Sequence, residues 1–246
     1  MPQDRPSKYA KPPIVEATVE VRTSELLDRR DLERCRDRFK KKYERVEDLA
    51  EVSVAFAPGG AVTHQTRPLG YKLTAANALD ILLVNHFSIG MSRLAPYVSW
   101  EAFIEDFQQN YELYTKLIGR RRVVRIGARF QNRIDVPNDL IRDANWSDFI
   151  RVQPAVPKEI ADGTGNYYMN VQPSFRDTNV KLIIQTGPVN EVLLDHTSLQ
   201  LDIDAYMDTD LPTRVDLLWE EFARLRAVKN TVFENCITEA TRKLFG

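Results

Sequence analysis

The sequence lacks most of the features that reveal a protein's chemistry directly. Its 246 residues include only two cysteines, Cys35 and Cys236, and three histidines, which argues against a disulfide framework and a structural zinc site. The net charge is −1, from 34 basic and 35 acidic side chains, which argues against nucleic-acid binding by a wholly basic surface. The longest apolar runs, such as Ile81 to Val84, are too short to span a membrane.

Motifs for phosphate binding and for nucleophilic catalysis are also missing. The sequence has neither a P-loop nor the glycine cluster of a dinucleotide-binding loop, and Gly59 and Gly60 follow a proline in the manner of a turn. No serine or cysteine has the spacing of a nucleophile elbow. Free thiols and the absence of an apolar segment near the N-terminus predict a cytoplasmic protein, with residues 1–13 as a flexible leader.

The residues that are present predict a globular chain of mixed secondary structure. Hydrophobic residues make up 43% and charged residues 28%, which is typical of a folded domain. Alternation of apolar and polar residues predicts strands at 14–22, 51–57, 61–75, 81–94, 122–136, 167–176, 180–186 and 198–206. Helical periodicity predicts helices at 31–46 after the cap Asp31, at 100–118 after the cap Ser99, near 139–150, and at about 213–245.

These elements predict an α+β fold, in which helices cover the apolar face of a curved, mainly antiparallel sheet and the last helix is long. We expect residues 14–136 to form a first α+β lobe and residues 166–246 a second, β-rich lobe that carries the C-terminal helix. The irregular stretch 137–165 would connect them. The two lobes could be related to each other, and they could equally form a single domain.

The most informative segment is the predicted strand at 122–136. One side of it is apolar, and the other carries three arginines and a glutamine: Arg125, Arg129, Arg133 and Gln131. Arginines four residues apart on a strand lie about 13 Å from each other, so no small anion could touch all three. A polyanion, an extended nucleotide or the acidic residues of a partner protein could contact all three. The alternative is a solvent-facing surface held by ion pairs between strands.

A second predicted strand carries two carboxylates on one face, Asp202 and Asp204. An Asp-x-Asp pair can hold a divalent metal for phosphoryl transfer. The alternative is that Asp202 and Asp204 pair with Arg129 and Arg133 in one sheet.

Polar residues interrupt two of the predicted apolar faces. Asn132 falls on the apolar side of the arginine strand, where a buried amide needs hydrogen-bond partners, and we expect it to tie the sheet to a loop or a helix cap. Lys229 and Asn230 interrupt the apolar side of the C-terminal helix. They could bind a ligand between helix and sheet, or satisfy backbone groups beneath the helix.

The predicted C-terminal helix is longer than one small sheet can cover, at about 45 Å for roughly 30 residues. Its apolar side includes Val232, Phe233, Ile237 and Leu244. A large exposed apolar stripe is uncommon on a monomer, so we expect a symmetric homodimer contact through these four residues. The alternative is that the second lobe covers the stripe within one chain.

Four segments together resemble a known family. They are P-P-I-V-E-A-T-V-E-V-R at 12–22, G-A-R-F-Q-N-R-I-D-V-P at 127–137, L-D-I-D-A-Y at 201–206, and K-N-T-V-F-E-N-C-I-T-E at 229–239. In this order and spacing they resemble a sporadically distributed family of bacterial proteins of similar length whose function is uncharacterised. The resemblance implies a bacterial cytosolic protein that is inherited patchily, as accessory, mobile or phage-defence genes often are. It implies no catalytic residues.

Two functional hypotheses follow from the sequence. The first is a binding protein without enzymatic activity or a cofactor, serving as an accessory or regulatory component of a bacterial defence or toxin-linked system. Its arginine face would contact another protein or a local stretch of polyanion, and a second copy of the chain is a further candidate partner. The alternative is an enzyme that acts on phosphates or nucleotides, with a divalent metal on Asp202 and Asp204 beside the arginine strand.

Overall fold

The structure is a computed structural model that describes residues 9–56, 62–141, 145–157, 159–160, 165–175 and 178–246, without the side chains of 52–65. The described residues form nine strands: β1 (Ile14–Thr23), β2 (Arg45–Phe56), β3 (Val62–Thr74), β4 (Asp80–Asn85), β5 (Ser88–Leu94), β6 (Val123–Pro137), β7 (Met169–Val171), β8 (Lys181–Val189) and β9 (His196–Met207). The helices are α1 (Arg29–Phe39), α2 (Trp100–Ile118), α3 (Val215–Cys236) and α4 (Glu239–Phe245). The predicted turn at Gly59 and residues 1–8 of the predicted leader lie outside the described residues.

The nine strands form one antiparallel sheet in the order β2-β3-β4-β5-β1-β6-β9-β8-β7. The predicted α+β fold class with an antiparallel sheet and a C-terminal helix is therefore confirmed. The chain divides into two compact units. What we call the first unit contains Thr18–Leu94 and Val98–Ile126, and the second unit contains Met1–Ala17, Ala95–Tyr97 and Gly127–Gly246. No helix in the described part of the chain is long and apolar enough to cross a membrane.

In the first unit, α1 begins and ends earlier than the sequence predicted. The cap is Asp28, whose carboxylate accepts a hydrogen bond from the backbone N–H of Asp31 at 2.7 Å. Asp31 lies in the first turn of the helix and pairs there with Arg121 at 2.9 Å. The helix ends at Phe39, and the residues up to Val46 that were predicted as helix instead lead into β2.

The predicted strand at 81–94 is a hairpin of β4 and β5. The side-chain oxygen of Asn85 accepts hydrogen bonds from the backbone N–H groups of Phe87 and Ser88, at 3.0 and 2.8 Å. This Asx turn reverses the chain without glycine or proline, so the alternation of the sequence passes through it unbroken. Helix α2 lies where it was predicted, with the Ser99 hydroxyl accepting from the N–H of Ala102 at 3.2 Å.

In the second unit, α3 packs against β9, and the predicted single C-terminal helix is two helices. Ile237 separates them in an extended conformation and forms an isolated antiparallel bridge with Ile150. Thr238 then caps α4 by accepting from the N–H of Thr241 at 3.4 Å, and Thr241 donates its hydroxyl to the Phe149 carbonyl. The backbone of the neighbouring segment 148–151 thus takes part in the hydrogen bonds at this break.

Part of the apolar stripe that was predicted to form the dimer contact is buried within the chain near this break. Phe233 and Ile237 are buried within the chain, whereas Val232 and Leu244 are half-buried. The expectation that all four residues form an exposed apolar surface is therefore wrong for two of them. Self-association itself stays a prediction.

Two further predicted elements are shorter in the structure. Within the described part of 139–150, the only helical turn is a 3₁₀ turn at Trp146–Asp148. The strand predicted at 167–176 is three residues long, Met169–Val171. At the N-terminus, Tyr9 of the predicted leader packs its ring against Phe245 and donates its hydroxyl to Glu234 at 2.8 Å.

Candidate functional site

Strand β6 has the two faces that the sequence predicted. Ile126, Phe130 and Ile134 are buried, whereas Arg129 is exposed and Arg133 is half-buried. Arg125 belongs to the first unit, and Arg129, Gln131 and Arg133 belong to the second.

Arg129 is held in place by a buried carboxylate on β9. Its Nε donates to both carboxylate oxygens of Asp202 at 3.0 Å, and its Nη2 also donates to Asp202. The Asp202 side chain is 2% exposed, but the Arg129 side chain is 44% exposed. These hydrogen bonds raise the pKa of the Arg129 guanidinium, so it stays charged. The result is a fixed cation whose outer edge faces solvent.

Arg129 and Asp202 line a small pocket in the second unit. The other lining residues are Ile183 and Gln185 on β8 and Asp204 on β9. Gln185 lies directly opposite Asp202 across the β8–β9 pair, and Ile183 lies opposite Asp204. The pocket has a volume of about 150 Å³, which fits one side-chain group and is smaller than a typical small-molecule site.

The charge around Arg129 is negative overall. Asp202, Asp204 and Glu16 all act on its guanidinium electrostatically and raise its pKa, so three carboxylates surround one cation. Gln131, which shares this face, donates its amide to Glu16 at 3.3 Å. This local excess of carboxylates opposes the binding of a polyanion at Arg129.

The other two arginines are also paired, each with a different carboxylate. Arg133 donates its Nε to Asp135 on its own strand, at 2.9 and 3.2 Å to the two oxygens. Asp135 accepts as well from the hydroxyl of Ser198 at 2.6 Å. Of the expected pairing of Asp202 and Asp204 with Arg129 and Arg133, the structure shows the pair of Asp202 with Arg129. Arg133 donates to Asp135 on its own strand.

Arg125 pairs within the first unit. Its Nη1 donates to Glu20 on β1 at 2.8 Å, and the same carboxylate oxygen accepts from Arg22 at 2.7 Å. The arginine face predicted from the sequence is therefore a series of ion pairs in two units, and the structure brings Arg129 together with the predicted Asp202 and Asp204 in one pocket.

The geometry at Asp202 does not favour a cation. Both carboxylate oxygens already accept hydrogen bonds from Arg129, which would repel a divalent metal and compete with it. Within the described ranges, no group of three or more histidine, cysteine, aspartate or glutamate side chains is arranged to hold a metal.

Asn132 has a different partner from the one predicted. It is buried, and its amide donates to the Leu201 carbonyl at 3.0 Å and to the Phe130 carbonyl at 3.3 Å. Both acceptors are on strands, so Asn132 ties β6 to β9 and does not reach a loop or a helix cap.

Lys229 is the most unusual residue of the second unit. It occupies a central position in the buried stripe of α3, which comprises Leu218, Phe222, Leu225, Lys229, Phe233 and Cys236. The residue is 6% exposed, and its Nζ lies 3.8 Å from the centre of the Phe130 ring. Among the residues that the structure describes, none accepts a hydrogen bond from this amine. The interpretation that Lys229 satisfies backbone groups beneath the helix is therefore wrong.

Burial dominates the protonation of Lys229. It lowers the pKa of the amine from 10.5 to about 7, with Arg226 adding repulsion and Glu234 a smaller opposing attraction. That change means that burial destabilises the charged amine by about 5 kcal/mol relative to an exposed lysine. A cation held over an aromatic face gains about 2 kcal/mol when desolvated, so the Phe130 ring offsets less than half of the cost. The sequence signal was a lysine at a position where the helical stripe requires an apolar residue.

Burial makes the two cysteines unreactive, because it raises the pKa of their thiols. Cys35 and Cys236 are buried and free, and burial raises the pKa of their thiols to about 12 and about 11. Since the thiolate is the reactive form, neither is a candidate nucleophile near neutral pH.

Known proteins give no independent guide to this site. No protein-family model matches the chain, and no curated protein or solved structure is similar to it. Function must therefore be inferred from Arg129 and its carboxylate neighbours.

Proposed function

We propose that this protein is a non-enzymatic binding protein that recognises a protein partner through the polar pocket at Arg129. The observation that carries the proposal is the pairing of an exposed guanidinium with a buried carboxylate, Asp202. The resemblance to a sporadically distributed bacterial family supports a cytoplasmic accessory or regulatory component of a defence or toxin-linked system as the setting.

The first argument is that Arg129 is ready to bind. Most exposed arginines lose rotamer freedom when they contact a partner, and this loss weakens the contact. Arg129 is already fixed by Asp202 through its Nε and Nη2. Its Nη1 donors make no hydrogen bond within the described part of the chain, and they can meet a carbonyl or a carboxylate of the partner. Arginines of this kind are often the residues that dominate binding energy at interfaces.

The second argument is the mixed chemistry of the pocket. Gln185 offers an amide donor and acceptor, and no described residue hydrogen-bonds its side chain. Asp204 adds a carboxylate and Ile183 adds an apolar wall. Such a combination suits a polar side chain or backbone amide of a protein better than a phosphate, which would face the surrounding carboxylates.

The same arrangement makes the alternative of a metal-dependent phosphate enzyme less favourable. Asp202 would have to release Arg129 before it could bind a metal, and this would leave both charges without their present partner. The binding proposal requires no such rearrangement.

The proposal is tested by following the side chains of the pocket with NMR. Isotope-labelled protein would be titrated with short capped peptides rich in glutamine and asparagine, in arginine, or in aspartate, and separately with heparin as a polyanion. We expect the Gln185 amide and the Arg129 Nε–H signals to shift with at least one peptide. Heparin should shift neither.

A pair of variants makes the result specific. Arg129→Gln with Asp202→Asn replaces the ion pair by two amides without leaving a buried charge, and it should abolish the peptide shifts at Gln185. Arg133→Gln changes a paired arginine on the same strand outside the pocket and should leave these shifts intact. Shifts caused by heparin alone would replace a protein partner by an anion, and the absence of shifts with every probe would reject the pocket as a binding site.

A further inference from the structure

Helix α1 of the first unit and the turn that follows it carry a large excess of positive charge. Residues 29–42 include eight basic and three acidic side chains, a net charge of +5 on a chain whose total is −1. Each acidic side chain already has a basic partner at 2.9 to 3.1 Å. These three are Asp31, Glu33 and Asp37. The acidic residues of the helix therefore cannot neutralise the remaining cations.

The solvent side of α1 displays these cations in a row. The opposite side, which packs into the core, consists of Leu32, Cys35 and Phe39. Arg30, Arg34 and Arg38 follow one another at four-residue intervals, about 6 Å apart along the helix axis, and all three are exposed. Lys41 lies in the turn after the helix and is exposed as well.

A second segment adds cations beside the first turn of α1. The Arg121 side chain is 15% exposed, and its Nη2 donates to Asp31 of the helix at 2.9 Å. The backbone N–H of Ser24 donates to the Arg122 carbonyl at 2.9 Å. These contacts hold residues 120–122 next to α1. The side chains of Arg120 and Arg122 are exposed.

Five of these cations have no ion-pair partner among the described residues: Arg30, Arg38, Lys41, Arg120 and Arg122. Together with Arg34, whose Nη1 lies 3.4 Å from Asp31, we call them the basic surface. Residues 29–42 and 120–122 contain no serine, threonine, asparagine or glutamine. The basic surface therefore presents charged donors without neutral polar groups beside them, which suits a ligand whose negative charges repeat along its length.

We propose that the basic surface binds the phosphate backbone of double-stranded DNA without reading its sequence. Duplex DNA carries one negative charge per about 1.7 Å of its length, so several phosphates come within reach of cations that extend over about 12 Å from Arg30 to Arg38. Four of the five cations without a described partner are arginines, which form paired hydrogen bonds with phosphate oxygens. The inference goes beyond the proposed function, because it concerns the first unit and requires neither the pocket at Arg129 nor a protein partner.

Other anionic partners fit the basic surface less well. A helix that lies in a membrane surface buries its apolar side in lipid, whereas the apolar side of α1 is buried in the protein. Single-stranded nucleic acid is held by aromatic side chains that stack on its bases. The large exposed hydrophobic side chains in the described part of the first unit are Leu26 and Val98, neither of which is aromatic.

Duplex RNA and acidic proteins also match only part of this chemistry. Proteins recognise duplex RNA through its 2′-hydroxyls as well as its phosphates, and the segments of the basic surface have no neutral polar side chain for the hydroxyls. The carboxylates of an acidic protein stand at the fixed positions of one fold. The phosphates of duplex DNA repeat along its whole length, so a row of arginines can meet them in many registers.

The test is fluorescence anisotropy of a labelled duplex DNA of about 20 base pairs, titrated with the whole protein at about 50 to 200 mM NaCl. The logarithm of the binding constant should fall with the logarithm of the salt concentration with a slope of about −4.5, because each of five neutralised phosphates contributes about −0.9. A duplex of scrambled sequence should bind equally well, since phosphate contacts carry no sequence information.

Two double variants locate the binding surface. Arg30→Gln with Arg38→Gln removes two cations from α1, and Arg120→Gln with Arg122→Gln removes two from the neighbouring segment. Each pair should reduce the salt slope by about 2 and weaken binding at about 50 mM NaCl at least tenfold. All four side chains are exposed, so the variants should keep the circular dichroism spectrum of the wild type.

A control variant separates this surface from the net charge of the protein. Lys11→Gln with Lys243→Gln removes two exposed cations of the second unit that also have no described ion-pair partner, and it should leave the affinity and the salt slope unchanged. Unchanged anisotropy at about 50 mM NaCl, or an equal loss of binding in the control variant, would overturn the proposal. Tighter binding to phosphatidylserine vesicles, polyglutamate, single-stranded DNA or duplex RNA than to duplex DNA would overturn it as well.

Discussion

The two units differ in how they treat polar side chains in the core and apolar side chains on the surface. In the first unit, the buried Asn110 donates to the hydroxyl of Tyr43 at 2.7 Å, and Arg93 pairs with both Asp80 and Asp106. In the second unit, Lys229 is buried without an acceptor among the described residues. The second unit therefore buries a whole amine without an acceptor. The described buried atoms of the first unit that lack a partner are single atoms of hydroxyl groups or of an arginine that is paired elsewhere: Thr74 Oγ1, Tyr114 Oη and Arg121 Nε.

The exposed surface differs in the same direction. Among the described residues, the large exposed hydrophobic side chains of the first unit are Leu26 and Val98. Those of the second unit are Leu140, Val156, Ile160, Tyr168, Phe175, Val192, Leu193 and Leu194. Features that lower stability or solubility tend to be kept where a protein binds or reacts. Among the described residues, exposed apolar side chains are therefore concentrated in the second unit, which also contains the pocket of the proposed function.

The largest expected effect compares one arginine from each unit. Arg129→Met should lower the free energy of unfolding by about 4 kcal/mol, because it leaves the buried carboxylate of Asp202 without its partner. Arg93→Met should cost only about 2 kcal/mol, although Arg93 itself is more buried, because Asp80 and Asp106 are more exposed than Asp202 and can be hydrated. Urea unfolding measures both losses in stability, provided that the dependence of the unfolding free energy on urea concentration is the same in variant and wild type.

The control for Arg129→Met is a double variant that removes both charges of the ion pair. Arg129→Met combined with Asp202→Leu should recover most of the lost stability, since replacing both partners of an ion pair by apolar residues is often neutral. An equal or larger loss for Arg93→Met would mean that the burial of the arginine, and not that of its partner, determines the cost.

The next effect has the opposite sign. Lys229→Met should raise the free energy of unfolding by about 3 kcal/mol, which is the cost of burying the amine less the contribution of the Phe130 ring. Methionine fills a similar volume and belongs on an apolar helix stripe. Thermal unfolding of variant and wild type at pH 7 tests this. The same substitution at the exposed Lys40 of the first unit is the matched control and should change little. A destabilised Lys229→Met variant would show that the amine has a stabilising partner.

A pH series isolates the same residue. The folded protein releases the proton of Lys229 near pH 7, whereas the unfolded chain keeps it until about 10.5, so the unfolded state holds more protons in between. Stability should therefore rise with pH in this window, by at most about 1.4 kcal/mol per pH unit. Above pH 9 the buried thiols of Cys35 and Cys236 act oppositely, because the folded state holds their protons longer. We thus expect a rise between pH 7 and 9 that Lys229→Met removes, and a rise that persists in this variant would assign it to other groups.

The sequence predicted the elements that follow from periodicity and failed where the hydrogen bonds of one side chain interrupt the periodic pattern. The two faces of β6 and the cap and extent of α2 follow from alternation and from Ser99, and both agree with the structure. The turn between β4 and β5 and the break between α3 and α4 depend on hydrogen bonds of Asn85 and Thr238, which periodicity does not show.

The candidate site shows the same limit. Alternation placed Arg129, Asp202 and Asp204 on polar faces, and the structure brings these three together. The alternation of the sequence could not show that Arg133 would pair with Asp135, two residues away on the same strand. Nor could it show that Lys229 faces an aromatic ring, because the ring lies about a hundred residues earlier in the chain.

The smallest expected effect tests the surface part of the comparison. Leu194 lies between β8 and β9 and is 92% exposed, while Val98 of the first unit is 81% exposed. Leu194→Ser and Val98→Ser should each change the free energy of unfolding by less than about 0.5 kcal/mol, because neither side chain loses burial. They should differ in association. Light scattering at micromolar concentration should give the wild type a mass near twice 28.3 kDa. Leu194→Ser should lower this mass and Val98→Ser should not, since apolar surface is concentrated in the second unit. A wild-type mass of 28.3 kDa, or equal effects of the two variants, would contradict self-association through the second unit.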